Sequence, residues 1–275
     1  MRVGVSSASL FMRQNNAEAL RTLNDLGVKT TEVFLTTFSE YGKAYAETLL
    51  PHVKNLSVNS VHDLTSQFEP QLFSRHAGVR ADAYSILQKV MESAKTLGAP
   101  YYTFHGASRA KRADRSGERD NFPWLIECFE TLLAFCRDFD VTLCLENVEW
   151  STYNRPGVFS KISSALPQLR GVLDIKQARI SQYPYEEYLR EMGEKIAYVH
   201  ISDIDGDGRM CLPGRGTFDF DTLIKQLQGV GFDGALLIEA YEKDYNAVQE
   251  LKDSCDFFEE LLEKHDCLDK NLNKN

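Results

Sequence analysis

Six short apolar runs in this 275-residue chain end in a histidine or a carboxylate. "SVHD" ends in His62 and Asp63, and "TFHGA" carries His105. "LCLENV" brings Glu146 and Asn147, and "GVLDIKQA" brings Asp174 with Gln177 beyond it. "AYVHISD" carries His200 and then Asp203, and "GALLIEAY" carries Glu239. Taken singly, a histidine in such a place is most often structural, and a carboxylate is most often solvated or paired. Gathered together, these acids repel one another and raise their own pKa values unless a cation is bound. Carboxylates with an imidazole suit a hard-to-borderline divalent ion such as Mn²⁺, Mg²⁺, Co²⁺ or Zn²⁺. The other reading of the same set is a purely hydrogen-bonded cluster.

The rest of the chain predicts how these residues meet. Short β-branched runs alternate with amphipathic stretches over eight pairs, from "RVGVSSAS" and "NAEALRTLNDLG" to "GALLIEAY" and "AVQELKDSCDFFEELLEKH". Strand–helix alternation makes parallel sheets, because each crossover needs a helix. Continuous apolar strands fit a sheet covered on both faces. Eight units in about 250 residues predict an α/β fold, a single (β/α)8 TIM barrel. An open doubly wound sheet is the alternative, but "SSASLF" after the first strand is not a Gly-rich phosphate loop. The barrel is expected over 1–265, with 266–275 a polar, frayed tail. In such barrels the C-terminal strand ends build the active site, and all six runs end there.

Composition narrows the classes. The chain is 43% hydrophobic and 26% charged, a globular balance. A net charge of −9 disfavours a phosphate backbone, so no nucleic-acid partner is expected. The six cysteines form no C-x-x-C pair, so buried free thiols in a reducing cytosol are expected. "MRVGVSSASLFMRQNN" is too short and polar for a signal peptide. Without a run of about 18 apolar residues there is no membrane span, and a cytoplasmic protein is expected.

These segments, with "LPGRGTFDF", resemble the xylose-isomerase-like barrels, which include sugar phosphate isomerases and epimerases, inosose dehydratases and endonuclease IV. They follow the family's order over nearly the whole chain. The resemblance implies one catalytic divalent metal held by Glu146, Asp174, His200 and Glu239. It also implies that Glu146 and Glu239 form the acid/base pair, as in ketose 3-epimerases. "LPGRG" is similar to the family's P-G-x-G turn. Endonuclease IV departs at two places. Its D-x-x-H histidine is Gln177 here, and its D-x-H aligns with "GRM" at 208–210, so a third metal lacks ligands. His62 and His105 match histidines of another nuclease metal site. Here they are expected to bind substrate or to steady the ligands, and a second metal stays open.

A one-metal site with two glutamates suits proton abstraction beside a carbonyl, through an enediolate. Two bases give epimerisation and one shared base gives isomerisation. Loss of water from the same intermediate gives a dehydratase. DNA hydrolysis and a non-catalytic sugar-binding barrel are further alternatives. The expected partner is a small sugar or sugar phosphate, and a homo-oligomer stays open. Asp203 is expected near His200, and Arg215 is a candidate substrate or anion contact. Lys176 shares a side with Asp174 if the strand runs that far. Arg109, Lys111 and Arg112 in "SRAKRADRSGER" are weighed as phosphate contacts against a solvated loop. The loop 65–78 is weighed as a lid against rim packing. Trp150, Tyr153 and Tyr241 are weighed as sugar platforms against loop filling. "DIDGDG" lacks an EF-hand's last ligand, since Gly214 stands there.

Overall fold

Each apolar run becomes a strand because both of its faces find cover. The computed structural model describes residues 1–64, 68–108 and 117–272, with the side chains of 117–121 and 266–272 outside that description. The strands are β1 (Arg2–Ser6), β2 (Thr30–Leu35), β3 (Ser57–Asp63), β4 (Tyr101–Phe104), β5 (Thr142–Glu146), β6 (Arg170–Asp174), β7 (Ile196–Ile201) and β10 (Ala235–Ile238). They close in the order β1-β2-β3-β4-β5-β6-β7-β10, and every neighbouring pair is parallel. This is a single (β/α)8 TIM barrel. Between β7 and β10 a two-residue antiparallel ladder, β8 (Asp203–Ile204) with β9 (Met210–Cys211), folds the "DIDGDG" loop back on itself.

The crossovers are α1 (Asn16–Asp25), α2 (Lys43–Leu49), α3 (Ala77–Leu97), α4 (Gly117–Arg137), α5 (Val158–Ala165), α6 (Ile175–Ile180), α7 (Tyr185–Met192), α8 (Phe220–Gly229) and α9 (Gln249–Leu272). Their ends follow local chemistry. Asn15 and Glu18 form a capping box on α1. Gly98 takes the left-handed conformation that ends α3, at φ 70°, and its N–H bonds back to the carbonyl of Ala94. On α3, Ala83, Leu87, Val90, Met91, Ala94 and Leu97 make the buried stripe. α2 stops at Leu49; Leu50 keeps helical dihedrals, but Pro51 has no N–H to continue the ladder. The last helix extends into the expected tail, to Leu272. Among the described residues, no helix is long and apolar enough to cross a membrane.

Two apolar cores result. The larger lies between the sheet and the helices. The smaller, Cys144, Val172, Tyr198, Ala235 and Leu237, fills the barrel interior. Side chains alternate along a strand, so the residue two beyond an interior one also points inward. From Cys144, Val172, Tyr198 and Leu237 that step reaches Glu146, Asp174, His200 and Glu239. The interior core is therefore the floor beneath those four residues. Cys128, Cys136, Cys144, Cys211 and Cys255 are free thiols, and Cys267 lies outside the described side chains.

Candidate metal centre

At the C-terminal end of β5, β6, β7 and β10, the buried side chains of Glu146, Asp174, His200 and Glu239 converge. Each offers one ligand atom, and the four atoms lie within 4.8 Å of one another. His200 Nδ1 is the nitrogen turned into this group. It lies 2.7 Å from Glu146 Oε1, 3.8 Å from Glu239 Oε2 and 3.9 Å from Asp174 Oδ2. Asp174 caps α6, its Oδ1 accepting the Gln177 N–H at 2.7 Å. Its Oδ2 is buried and has no hydrogen-bond partner among the described residues. Asn147 fixes the main chain of Asp174 from both sides, donating to its carbonyl and accepting its N–H, each at 2.8 Å.

The electrostatics are those of a crowded acidic group. Burial raises the Asp174 pKa, Lys176 lowers it, and the charges of Glu146 and Glu239 raise it again, leaving it at about 7. Burial also raises Glu146, but His200 and His105 outweigh it and hold Glu146 well below the ordinary carboxylate range. Burial opposes a charged His200, yet Glu32, Glu239 and Glu146 hold its pKa well above the usual imidazole value. Three carboxylates and an imidazole with one orphaned buried oxygen suit a borderline divalent cation. The group can bind a metal.

His62 and His105 stand beside this group. Their Nε2 atoms are 3.1 Å apart, and His105 Nε2 lies 3.0 Å from Glu146 Oε2. His62, His105 and Glu146 form a second set of ligand-type atoms within 4.8 Å, and Glu32, His62 and Glu239 a third. Burial disfavours charge on His105, but Glu69 and Glu146 hold its pKa well above the ordinary value. Trp150 stacks on the His105 ring at 5.7 Å, while Tyr153 is fully buried and packs on Tyr188.

The other candidates occupy distinct places. Gln177 Oε1 accepts the Glu149 N–H at 3.3 Å, so it braces the loop after β5. Asp203 accepts four main-chain N–H groups, from Ile204, Gly214, Gly216 and Phe218. It holds the "LPGRG" turn through Gly214 and Gly216. Gly216 is needed there, since a Cβ would lie 2.2 Å from the Ile204 carbonyl oxygen. Arg215 pairs with Asp253 of α9 at 2.9 Å, both half-exposed. Arg109, Lys111 and Arg112 lie outside the described residues, as does the 65–67 part of the loop before α3.

Four functional-type residues go beyond the strand-end set. Glu32, wholly buried on β2, accepts from five side chains. The signal was present in "KTTEVFLT", an acid inside an otherwise buried strand. Glu69 enters from the loop before α3, its Oε2 accepting the His105 N–H at 2.9 Å. The Tyr102 hydroxyl lies 2.5 Å from Asp63 and 2.6 Å from Glu69. One hydroxyl carries one proton, so one of the two acids must be protonated. Burial, then the charge of Glu69, pushes Asp63 well above its ordinary value and makes it the protonated partner. Lys176 stands in α6 rather than in β6. It is 2% exposed, donates to Glu239 Oε2 at 2.9 Å and lies 4.1 Å under the Tyr241 ring.

A family model described as a xylose isomerase-like TIM barrel matches residues 20–261. Among solved structures, the chain is similar to D-psicose 3-epimerase with D-tagatose from Clostridium cellulolyticum H10. That match has 14% identity and a TM-score of 0.78, over 95% of this chain and 99% of that one. The 3-keto-D-glucoside 4-epimerase YcjR from E. coli matches at 16% identity and TM-score 0.71, over 94% and 98%. The IOLI protein with a bound zinc atom matches at 17% identity and TM-score 0.72, over 96% and 99%. At these identities the structural likeness establishes the fold. The extent of the family match, over a closed eight-stranded barrel, makes the chain a member of the xylose isomerase-like TIM barrel family.

Proposed function

We propose that this protein is a divalent-metal-dependent isomerase or epimerase of a sugar or sugar phosphate, acting by proton transfer through an enediolate. The observation that carries this reading is the buried group Glu146, Asp174, His200 and Glu239, in which Asp174 Oδ2 faces no protein donor. These four residues would hold one ion, of the Mn²⁺, Mg²⁺, Co²⁺ or Zn²⁺ class, which would polarise a substrate carbonyl when bound. The acid/base work falls to the protein. Glu146 and Glu239 are separated by β6 and β7, so they approach a sugar from different sides of the mouth. One takes the proton next to the carbonyl and the other returns it, which inverts that carbon. Their basicities differ in origin. Glu146 is lowered by two imidazoles, while Glu239 is lowered by Lys176 and His200. His62 and His105 line the mouth as hydrogen-bonding partners for substrate hydroxyls. Trp150 widens that wall with an aromatic face.

A metal-dependent dehydratase on a cyclic polyol is the second reading. It is favoured by His105, whose Nε2 stands 3.0 Å from Glu146 Oε2, where an imidazole could give a proton to a departing hydroxyl.

The test is a screen of ketoses and inososes with added Mn²⁺, following C–H exchange in D₂O by NMR, alongside the metal content of the purified protein. Deuterium entering one carbon without loss of water supports epimerisation or isomerisation. Deuterium entry with loss of water supports the dehydratase. Two or more tightly held zinc ions with cleavage of abasic DNA overturns both. Binding of a sugar with no exchange and no metal dependence leaves a sugar-binding barrel.

A further inference from the structure

Against the four-residue group lies a buried carboxylate that is not one of its members. Glu32 is on β2, completely buried, next to a register shift between Thr31 and Glu32 in the β2–β3 ladder. The Ser6 hydroxyl donates to Oε1 at 2.9 Å, and His62 Nδ1 lies 3.2 Å from the same oxygen. The Ser60 and Thr103 hydroxyls donate to Oε2 at 2.7 and 2.6 Å. His200 Nε2 sits between the two oxygens, at 3.3 and 3.4 Å. The donors come from β1, β3, β4 and β7. The hydroxyls have their own suppliers: Thr103 faces the Tyr198 hydroxyl at 2.6 Å, and Ser60 accepts from the Asn59 amide at 3.3 Å. Both oxygens are engaged in this way, and Glu32 also offers one atom to the ligand-type set with His62 and Glu239.

We infer that Glu32 is a positioning residue for His200: it takes the Nε2–H and thereby turns Nδ1 into the group formed with Glu146, Asp174 and Glu239. An imidazole presents only one in-plane lone pair once its other nitrogen carries a proton. An acceptor fixed under Nε2 decides which nitrogen that is and how the ring stands. Glu32 acts likewise on His62, whose Nδ1 it accepts and whose Nε2 it leaves facing His105. Ser6, Ser60 and Thr103 then serve to hold the carboxylate. Five contacts from four strands give it one position, so the His200 ring is oriented before anything binds.

This inference rests on the proposed metal reading, and the test separates the two. Zn²⁺ alone is the probe, with isothermal titration of the wild-type chain, Glu32→Leu, Glu32→Gln and Asp174→Asn, and ¹⁵N-histidine NMR of the Zn²⁺-loaded proteins. Glu32→Leu removes the acceptor and is expected to weaken Zn²⁺ binding about 10–100-fold, the usual range for such supporting partners. Glu32→Gln keeps one amide oxygen able to accept from Nε2 and is expected to bind Zn²⁺ more tightly than Glu32→Leu. A general packing defect would not be rescued in this way. The NMR is expected to show His200 bound through Nδ1, with a downfield Nε2–H that moves upfield in Glu32→Leu. Equal Zn²⁺ affinity in Glu32→Leu and wild type overturns the role of Glu32, and so does His200 bound through Nε2. If Glu32→Leu fails to fold, the wild-type NMR decides alone. If Asp174→Asn also leaves Zn²⁺ affinity unchanged, the metal reading itself has failed.

Discussion

The ammonium of Lys176 lies 2.9 Å from Glu239 Oε2, and both groups are buried at the barrel mouth. A lysine ammonium thus sits beside Glu239, while Glu146 is paired with the imidazoles of His200 and His105. Burial works against a charged Lys176, but Glu239 and Asp174 keep it protonated, and the Tyr241 ring covers it at 4.1 Å. The two glutamates are therefore unequal before any substrate arrives.

Removing that ammonium leaves Glu239 buried without its partner. Lys176→Met is expected to destabilise the metal-free protein by about 3–5 kcal/mol. A bound divalent cation compensates the same carboxylates, so the loss should shrink when Zn²⁺ is present. Thermal unfolding in EDTA and in Zn²⁺ measures both. A loss of equal size in the two conditions would show that Lys176 is not a counter-charge to the acidic group.

Asp174 makes metal-free stability depend on pH. Its folded-state pKa is about 7, against about 3.9 for an ordinary unfolded aspartate. Between these values the folded state keeps a proton that the unfolded state has lost, so the contribution of Asp174 falls as pH rises. Asp174→Asn should therefore gain stability relative to wild type between pH 4 and pH 8. Unfolding curves in EDTA across that range check the sign, and a gap that does not vary with pH would contradict it.

Glu146→Gln and Glu239→Gln keep shape but remove the base. Each is expected to slow deuterium exchange into the substrate identified by the screen about 10²–10⁴-fold. Retention of exchange in both variants would make the acid/base assignment wrong.

The Asp63–Tyr102–Glu69 set predicts an asymmetry between two similar substitutions. An amide donates a hydrogen bond where a protonated acid does, so Asp63→Asn should be tolerated. Glu69 accepts from Tyr102 and from the main-chain N–H groups of His105 and Gly106. Glu69→Gln turns part of that acceptor into a donor and should cost about 1–3 kcal/mol. Urea unfolding midpoints of the two variants compare them directly. The reverse order would place the proton on Glu69.

Much of the architecture was legible because it rests on local rules. Gly98 ends α3, Asn15 opens α1, and the apolar strands need cover on both faces, all of which follow from residue type and spacing. The strand-end residues were legible for the same reason, since parallel strands in a closed barrel send their C-terminal ends to one rim. The partners of Asp203 and Arg215 were less legible: main-chain N–H groups of the "LPGRG" turn bond to Asp203, and Arg215 pairs with Asp253 on α9.

The sequence by itself determined the barrel, the direction of its strands and the gathering of the strand-end acids and histidines at one rim, because each depends on a period of two or 3.6 and on parallel closure. Only the tertiary structure decided which nitrogen of His200 faces the group, that Lys176 reaches Glu239, and that Glu32 and Glu69 lie under the mouth. Those facts depend on how side chains from different strands compete for the same few ångströms. A buried carboxylate takes whichever donors the neighbouring strands present, and no spacing along one strand records what the strand beside it offers.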